Sequence, residues 1–255
     1  MILCIDVGNT QTVLGCIEDG QILRTIRLTT IASETAEEAA VRLLGVLSFH
    51  GLSSEALDGA ILSSVVPAVT ETLKAALPMI LSGRLLIVGP GIRTGLNVRI
   101  DDPGTLAADL LVGAVSAMNF YTLPAIIIDM GTAITLTAVD QKGCYRGGVI
   151  MPGVRLSFGA LSRGTSLLPD ISFSAPKKVI GSNTVDAMRS GALYGTASMI
   201  DGLVERMEEE LKASCTVIAT GGQAPFVIPF CRKKILVDED LLMKGLYYLY
   251  RKNID

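Results

Sequence analysis

The segment Ile2-Leu3-Cys4-Ile5-Asp6-Val7-Gly8-Asn9-Thr10-Gln11-Thr12-Val13 runs from apolar residues into an aspartate, a glycine and a set of uncharged hydrogen-bonding side chains. About half the chain later the pattern returns as Ala125-Ile126-Ile127-Ile128-Asp129-Met130-Gly131-Thr132-Ala133-Ile134-Thr135. Glycine lets a backbone turn tightly and approach a ligand closely. Successive backbone N–H groups in such a turn make a concavity that attracts anions. Thr10, Gln11 and Thr12 add neutral donors without a competing charge. The chemistry this suits is the holding of phosphate groups. A carboxylate beside a polyphosphate is unfavourable unless a cation lies between them, and Mg2+ shared through water is the simplest answer for Asp6. Asp129 poses the same requirement. A third segment, Thr220-Gly221-Gly222, follows the apolar run Thr216 to Ala219 and leaves room for a flat ring against the backbone. An ordinary hairpin capped by Asp and Asn would use some of the same residues. Two copies, each ending an apolar strand, weigh against that simpler account.

The elements around these segments alternate between strand and helix patterns. Asp19-Gly20 and Lys142-Gly143 are hairpin signals after each copy. Thr35-Ala36-Glu37-Glu38 has the form of a capping box and opens a helix to about Phe49, with His50 at its end. Ala60 to Val66 and Arg84 to Val88 read as short buried strands. Asp101-Asp102-Pro103 predicts the start of a helix to about Phe120 that includes Asp109. Asn183 to Lys212 reads as a long helix with a possible interruption, and Leu241 to Arg251 as a closing helix. The pattern is α/β. The echo predicts two related domains, residues 1–118 and 119–255, facing one another across a cleft.

Composition narrows the function. The 255 residues include 22 Lys+Arg and 25 Asp+Glu, a net charge of -3, which argues against a nucleic-acid surface. With no Trp, 6 Phe and 6 Tyr, a base-stacking platform is also unexpected. The 49% hydrophobic content excludes disorder. No apolar run reaches the length of a membrane span, and no leader peptide is expected. The scattered Cys4, Cys16, Cys144, Cys215 and Cys231 predict reduced thiols in a cytoplasmic protein. With His50 the only histidine, a zinc site is not expected.

Seven segments occur in order: Ile5-Asp6-Val7-Gly8-Asn9-Thr10, Ser63-Ser64-Val65-Val66-Pro67, Val88-Gly89-Pro90-Gly91, Asp129-Met130-Gly131-Thr132-Ala133, Gly147-Gly148-Val149-Ile150-Met151-Pro152-Gly153, Gly181-Ser182-Asn183-Thr184 and Ala219-Thr220-Gly221-Gly222. Together they resemble the acetate kinase, sugar kinase, heat-shock protein and actin ATPase superfamily, and within it the type III pantothenate kinase family. The resemblance implies two actin-like (ribonuclease H-like) domains with mixed sheets flanked by helices. It implies ATP-dependent phosphorylation of pantothenate to 4'-phosphopantothenate, the first step of coenzyme A synthesis, by a homodimer. By resemblance Asp6, Val7, Gly8, Asn9, Thr10, Gln11, Thr12 and Val13 hold ATP phosphates, Thr132 also contacts ATP, and Gly221 and Gly222 form the adenosine loop. Asp129 is implied to bind K+ or NH4+. Asp109 matches the family's catalytic base, and Ala108, Asp109 and Thr184 line the acceptor pocket.

Three pocket positions depart from the family pattern. Gly-Ala-Asp-Arg in the family is Ala107-Ala108-Asp109-Leu110 here, and a family tyrosine is Ile100. Leu110 lacks the guanidinium that pairs bidentately with a carboxylate. The expectation is that Arg155 or Arg163 supplies the cation instead. The alternative is a kinase for another small alcohol, or a nucleotide-binding relative with little turnover.

Overall fold

The computed structural model describes residues 1–172 and 174–254. The chain divides into two compact units. The first gathers residues 1–95, 102–116 and the chain end from Leu241. Strand β1 (Ile2–Val7) is buried along its length except at Asp6, as a central strand covered on both faces requires. Strand β2 (Gln11–Glu18) returns antiparallel to it. Asp19 (φ 48°) and Gly20 (φ 80°) then make the tight hairpin into β3 (Gln21–Thr29). Helix α1 (Ala36–Phe49) opens on the expected capping box. Glu38 N donates to Thr35 Oγ1 at 3.2 Å, and Thr35 N donates to Glu38 Oε2 at 2.8 Å. His50 is its C-cap. Strand β4 (Gly59–Ser64) pairs parallel with β1; helix α2 (Pro67–Ile80) and strand β5 (Arg84–Ile87) follow. The sheet order is β3-β2-β1-β4-β5. Its core joins Leu3, Ile5 and Leu62 of the sheet to Leu43, Leu47, Leu73 and Leu77 of the helices.

The helix expected from residue 101 is divided. Gly104 N donates to Asp102 Oδ1 at 2.9 Å and closes a single 3-10 turn over Pro103–Thr105. Leu106 is then extended, and α3 begins anew at Ala108–Phe120. Asp side chains compete for backbone N–H groups, and Gly disfavours helix, so the two together stop the first turn. Asp109 therefore lies in the first turn of α3 and not in a helix interior.

The second unit holds residues 96–101 and 117–240. It contains β6 (Asn97–Val98), β7 (Ala125–Met130), β8 (Ala133–Val139), β9 (Cys144–Pro152) and α4 (Val154–Gly164). The long helix of the sequence pattern is α5 (Thr184–Ser190) and α6 (Thr196–Leu211), joined by a π-helical turn at Gly191–Gly195. Then come β10 (Thr216–Thr220), α7 (Ala224–Val227) and β11 (Leu236–Val237). The sheet order is β11-β10-β7-β8-β9-β6. Ile126, Ile128 and Ile134 pack there with Ile200, Val204 and Val227.

The closing helix α8 (Leu241–Ile254) belongs to the first unit, where it packs on β1 and β4. The first unit also ends at Ser116 on α3, so the units are not the linear halves 1–118 and 119–255. The buried face of α8 (Leu241, Leu246, Leu249 and Tyr250) needs an apolar surface, and the one that receives it is far away in sequence.

The internal echo is a repeat of topology. The run β3-β2-β1-β4-β5 has the same pairings as β9-β8-β7-β10-β11. The repeat is not perfect in register. Val7 pairs with Thr12 across the first turn, and Met130 with Ile134 across the second, so the second turn is one residue shorter. Thr12 and Thr135 are therefore not equivalent: Asp6 faces Val13, whereas Asp129 faces Thr135. A one-residue slip moves a side chain to the opposite face.

Thr35→Ala removes the side-chain half of the α1 capping box. Thermal or urea unfolding should show a loss of about 1 kcal/mol; an unchanged midpoint would contradict the role assigned to this cap.

Candidate active site

In the first unit, Asp6 ends β1 beside Ser63, its register partner on β4. Ser63 is fully buried and donates from Oγ to Asp6 Oδ1 at 2.9 Å. The turn that follows is closed by Gly8 N donating to Gln11 O at 2.9 Å. Asn9, Thr10 and Gln11 are exposed at its tip, while Val7 and Thr12 are buried. Val7 therefore has only its backbone to offer a ligand. Thr30, just beyond β3, braces the turn. Its Oγ1 donates to Gly8 O at 2.7 Å and lies 3.0 Å from Thr12 Oγ1, and its N donates to Thr10 O at 3.0 Å. Neither Ser63 nor Thr30 was singled out as a site residue from the sequence. The pairings β1–β4 and β2–β3 are what bring them in.

Asp109 belongs to the same unit. It is half-buried among Ala107, Ala108 and Leu110, also half-buried. Its Oδ1 accepts from Leu110 N at 2.8 Å. Burial pushes its carboxyl above the ordinary carboxylate range, and the Leu110 N–H only partly opposes this. Ile100 lies in the second unit, and its side chain covers Gly147 of β9.

In the second unit, three hydrogen-bonding residues form a row across the sheet. Asp129 is at its centre, with Thr220 as its register partner on one side and Thr135 on the other. Register partners project from the same face. Thr220 is buried, and the Thr135 hydroxyl is buried with no hydrogen-bond partner. Gly221 (φ 89°) passes so close that an added Cβ would lie 2.6 Å from Asp129 Oδ1. Only glycine has both the conformation and the space. Thr132 is exposed on the turn between β7 and β8. A Cβ on Gly153, ahead of α4, would collide with the carbonyls of Gly131 and Thr132. Gln223 is the side chain that links these loops, another residue not singled out from the sequence. Its Nε2 donates to Gly131 O at 2.6 Å and its Oε1 accepts from Val154 N at 3.2 Å.

Thr184 is exposed at the start of α5, where Asn183 Oδ1 accepts from Asp186 N at 2.9 Å. Thr184, Asn183 and Ser182 line one side of an open groove of about 680 Å³, with Leu161, Met188 and Met199 on its apolar side. Arg155 and Arg163 are exposed on α4, the latter lying over Gly159. Among the described residues, no group of three or more His, Cys, Asp or Glu could hold a metal by itself.

Thr30→Val should lower unfolding stability by about 1–2 kcal/mol, because it leaves the Gly8 carbonyl without its side-chain donor. Asn9→Ala, at the exposed tip, should change it by less than about 0.5 kcal/mol. Equal effects in chemical denaturation would remove Thr30 as the brace.

The chain is similar to known proteins along its whole length. The family model described as type III pantothenate kinase matches residues 2–206. A type III pantothenate kinase of Halalkalibacterium halodurans is 41% identical over 254 residues, covering 100% of both chains. Among solved structures, component A of the (R)-2-hydroxyglutaryl-CoA dehydratase of Acidaminococcus fermentans superposes with a TM-score of 0.60 at 16% identity, covering 100% of this chain and 99% of that one. MreB 5 of Spiroplasma citri, bound to AMPPNP, gives 0.55 at 11% identity, covering 99% and 97%. At these identities the structures speak for the fold alone, two mixed sheets flanked by helices in the actin-like manner. The full-length sequence match carries more: this chain belongs to the type III pantothenate kinase family.

Proposed function

We propose that the chain transfers the terminal phosphoryl group of ATP to pantothenate, giving 4'-phosphopantothenate for coenzyme A synthesis. The observation that carries this is 41% identity along the whole chain to a type III pantothenate kinase. The duplicated Asp–Gly turns supply the physical support. Nothing found favours another acceptor alcohol or a relative without turnover.

Residue roles follow from the chemistry each position offers. In the first unit, the segment Asp6 to Val13 holds phosphates, with the exposed Asn9, Thr10 and Gln11 at its tip. In the second unit, Thr132 contacts ATP, and Gly221 and Gly222 leave a side-chain-free surface for its adenosine. Asp6 fits Mg2+ through water, since its carboxylate is a hard-oxygen donor and Mg2+ keeps several waters. When bound, the ion would neutralise phosphate charge. Asp129 fits K+ or NH4+: the buried Thr135 hydroxyl beside it has no hydrogen-bond partner and offers a second oxygen.

Asp109 accepts the proton of the pantothenate hydroxyl as phosphoryl transfer proceeds. Phosphoryl transfer is catalysed chiefly by positioning and charge, and a carboxylate that orients the hydroxyl does both. Ala108 and Thr184 contact the acceptor. At the positions the resemblance gives to the acceptor pocket, Ile100, Ala107 and Leu110 carry no charge, so we assign the cation for the pantothenate carboxylate to Arg155 or Arg163. A homodimer fits the exposed Leu156, Leu161, Leu167, Ile180 and Met199 of the second unit, which are more apolar surface than a lone domain usually leaves in water. Among the described residues no helix is long and apolar enough to cross a membrane. A cytoplasmic location accords with the pathway.

Coupled ADP release with and without pantothenate, in potassium buffer, tests the reading; nucleotide binding with no pantothenate-stimulated turnover would sink it. Asp109→Asn should lower kcat by about 10²–10⁴-fold and leave ATP binding intact. The raised carboxyl pKa sets two pH effects. Activity should fall with acidity at a pH above that of an ordinary carboxylate, as the base becomes protonated. Stability contributed by this group is present at low pH, where it is neutral, and is lost as pH rises through its folded-state pKa. Asp109→Asn should therefore melt no lower than the parent protein at neutral pH.

A further inference from the structure

Gln223 joins three segments of the second unit that are remote in sequence. Its backbone N donates to Met130 O at 3.1 Å. Its side chain donates to Gly131 O and accepts from Val154 N, the first amide of α4. That helix starts at Gly153, with no side-chain cap of its own. Gly153 N in turn donates to Thr132 O at 2.9 Å. Both carbonyls of the turn, Gly131 and Thr132, are thus directed toward the Gln223–Gly153 side.

A trans peptide is planar, and its C=O and N–H point in opposite directions. The Gly131 carbonyl and the Thr132 N–H belong to one peptide unit. Fixing the carbonyl on Gln223 therefore fixes the Thr132 N–H on the other side of the turn. The carbonyl of Thr132, held by Gly153, does the same for the Ala133 N–H. A glutamine amide donates to one backbone through Nε2 and accepts from the other through Oε1 at once. Glu accepts but cannot donate when ionised, and Met does neither.

We infer that Gln223 is a positioning residue for the nucleotide: by clasping the Gly131 carbonyl and capping α4, it aims the Thr132 amide at the phosphate chain. This rests on the reading that Thr132 contacts ATP. Gln223 acts through the turn it holds, so its loss should weaken ATP selectively.

The experiment is steady-state kinetics with ATP and pantothenate varied separately, equilibrium titration with ATP, and amide hydrogen exchange without nucleotide. The proteins are the full-length parent, Q223M and Q223E. Q223M should raise KM and Kd for ATP about tenfold, the loss expected for a lost hydrogen bond. KM for pantothenate should stay within twofold. Q223E should do worse than Q223M, because its carboxylate faces the Gly131 carbonyl. Exchange should quicken around 131–133 and 153–155. ATP constants unchanged in both variants, or ATP and pantothenate constants rising together, would overturn the inference while leaving the kinase reading in place. A variant too unstable for kinetics is read by exchange alone, where unchanged protection at 131–133 in the other variant also overturns it. Parent protein that binds no ATP would overturn both.

Discussion

In each unit an aspartate ends a buried strand just before a turn of backbone N–H groups, and the turn is anchored by uncharged side chains. A cationic anchor would pair with the aspartate and compete with any metal ion. An anionic one would repel whatever phosphate the N–H groups attract. Thr30 holds the carbonyls' side of the first turn, Ser63 donates to Asp6, and Gln223 holds the second turn. Hydrogen bonds between neutral groups set geometry without adding charge, and they gain strength where water is excluded. The rest of each sheet serves to deliver these partners to the ends of β1 and β7.

The two copies use that constraint differently. The first has a longer turn, stitched to the next strand by a threonine pair, Thr12 and Thr30. The second is one residue shorter and has little side-chain material at its base. Gly153 and Gly221 let backbone pack directly on backbone there. The shorter turn also sets a threonine, Thr135, beside Asp129 where the first copy has Val13 beside Asp6. One residue of turn length thus changes the donor set beside a carboxylate, because strand side chains alternate faces. In the proposed assignment, that difference separates the water-mediated divalent ion at Asp6 from the monovalent ion at Asp129.

Asp109 illustrates the tension between stability and chemistry at such a site. A helix N-terminus favours a carboxylate's charge, as does the Leu110 N–H. Burial among alanines and leucines disfavours it, and burial wins. The family's arginine at position 110 would have tipped this balance toward the ionised form. With Leu110 in its place, the carboxyl stays easier to protonate.

Much of this was legible in the sequence. The repeated strand–Asp–Gly pattern, the capping box at Thr35, the Asp19-Gly20 hairpin and the glycines at 221 and 222 are local signals, written in propensity, periodicity and turn chemistry within a few residues. They sufficed for the class of fold and the duplication, and they placed the two aspartates near the ends of buried strands. Tertiary structure alone decided what stands beside those aspartates. Ser63, Thr30 and Gln223 look like ordinary polar residues until strand pairing brings them within 3 Å of a turn. The return of α8 to the first unit and the one-residue slip between copies were equally hidden. Each depends on which strand or surface a segment meets, and a hydrogen bond or buried face made across 22 or more residues leaves no periodic trace in the chain that makes it.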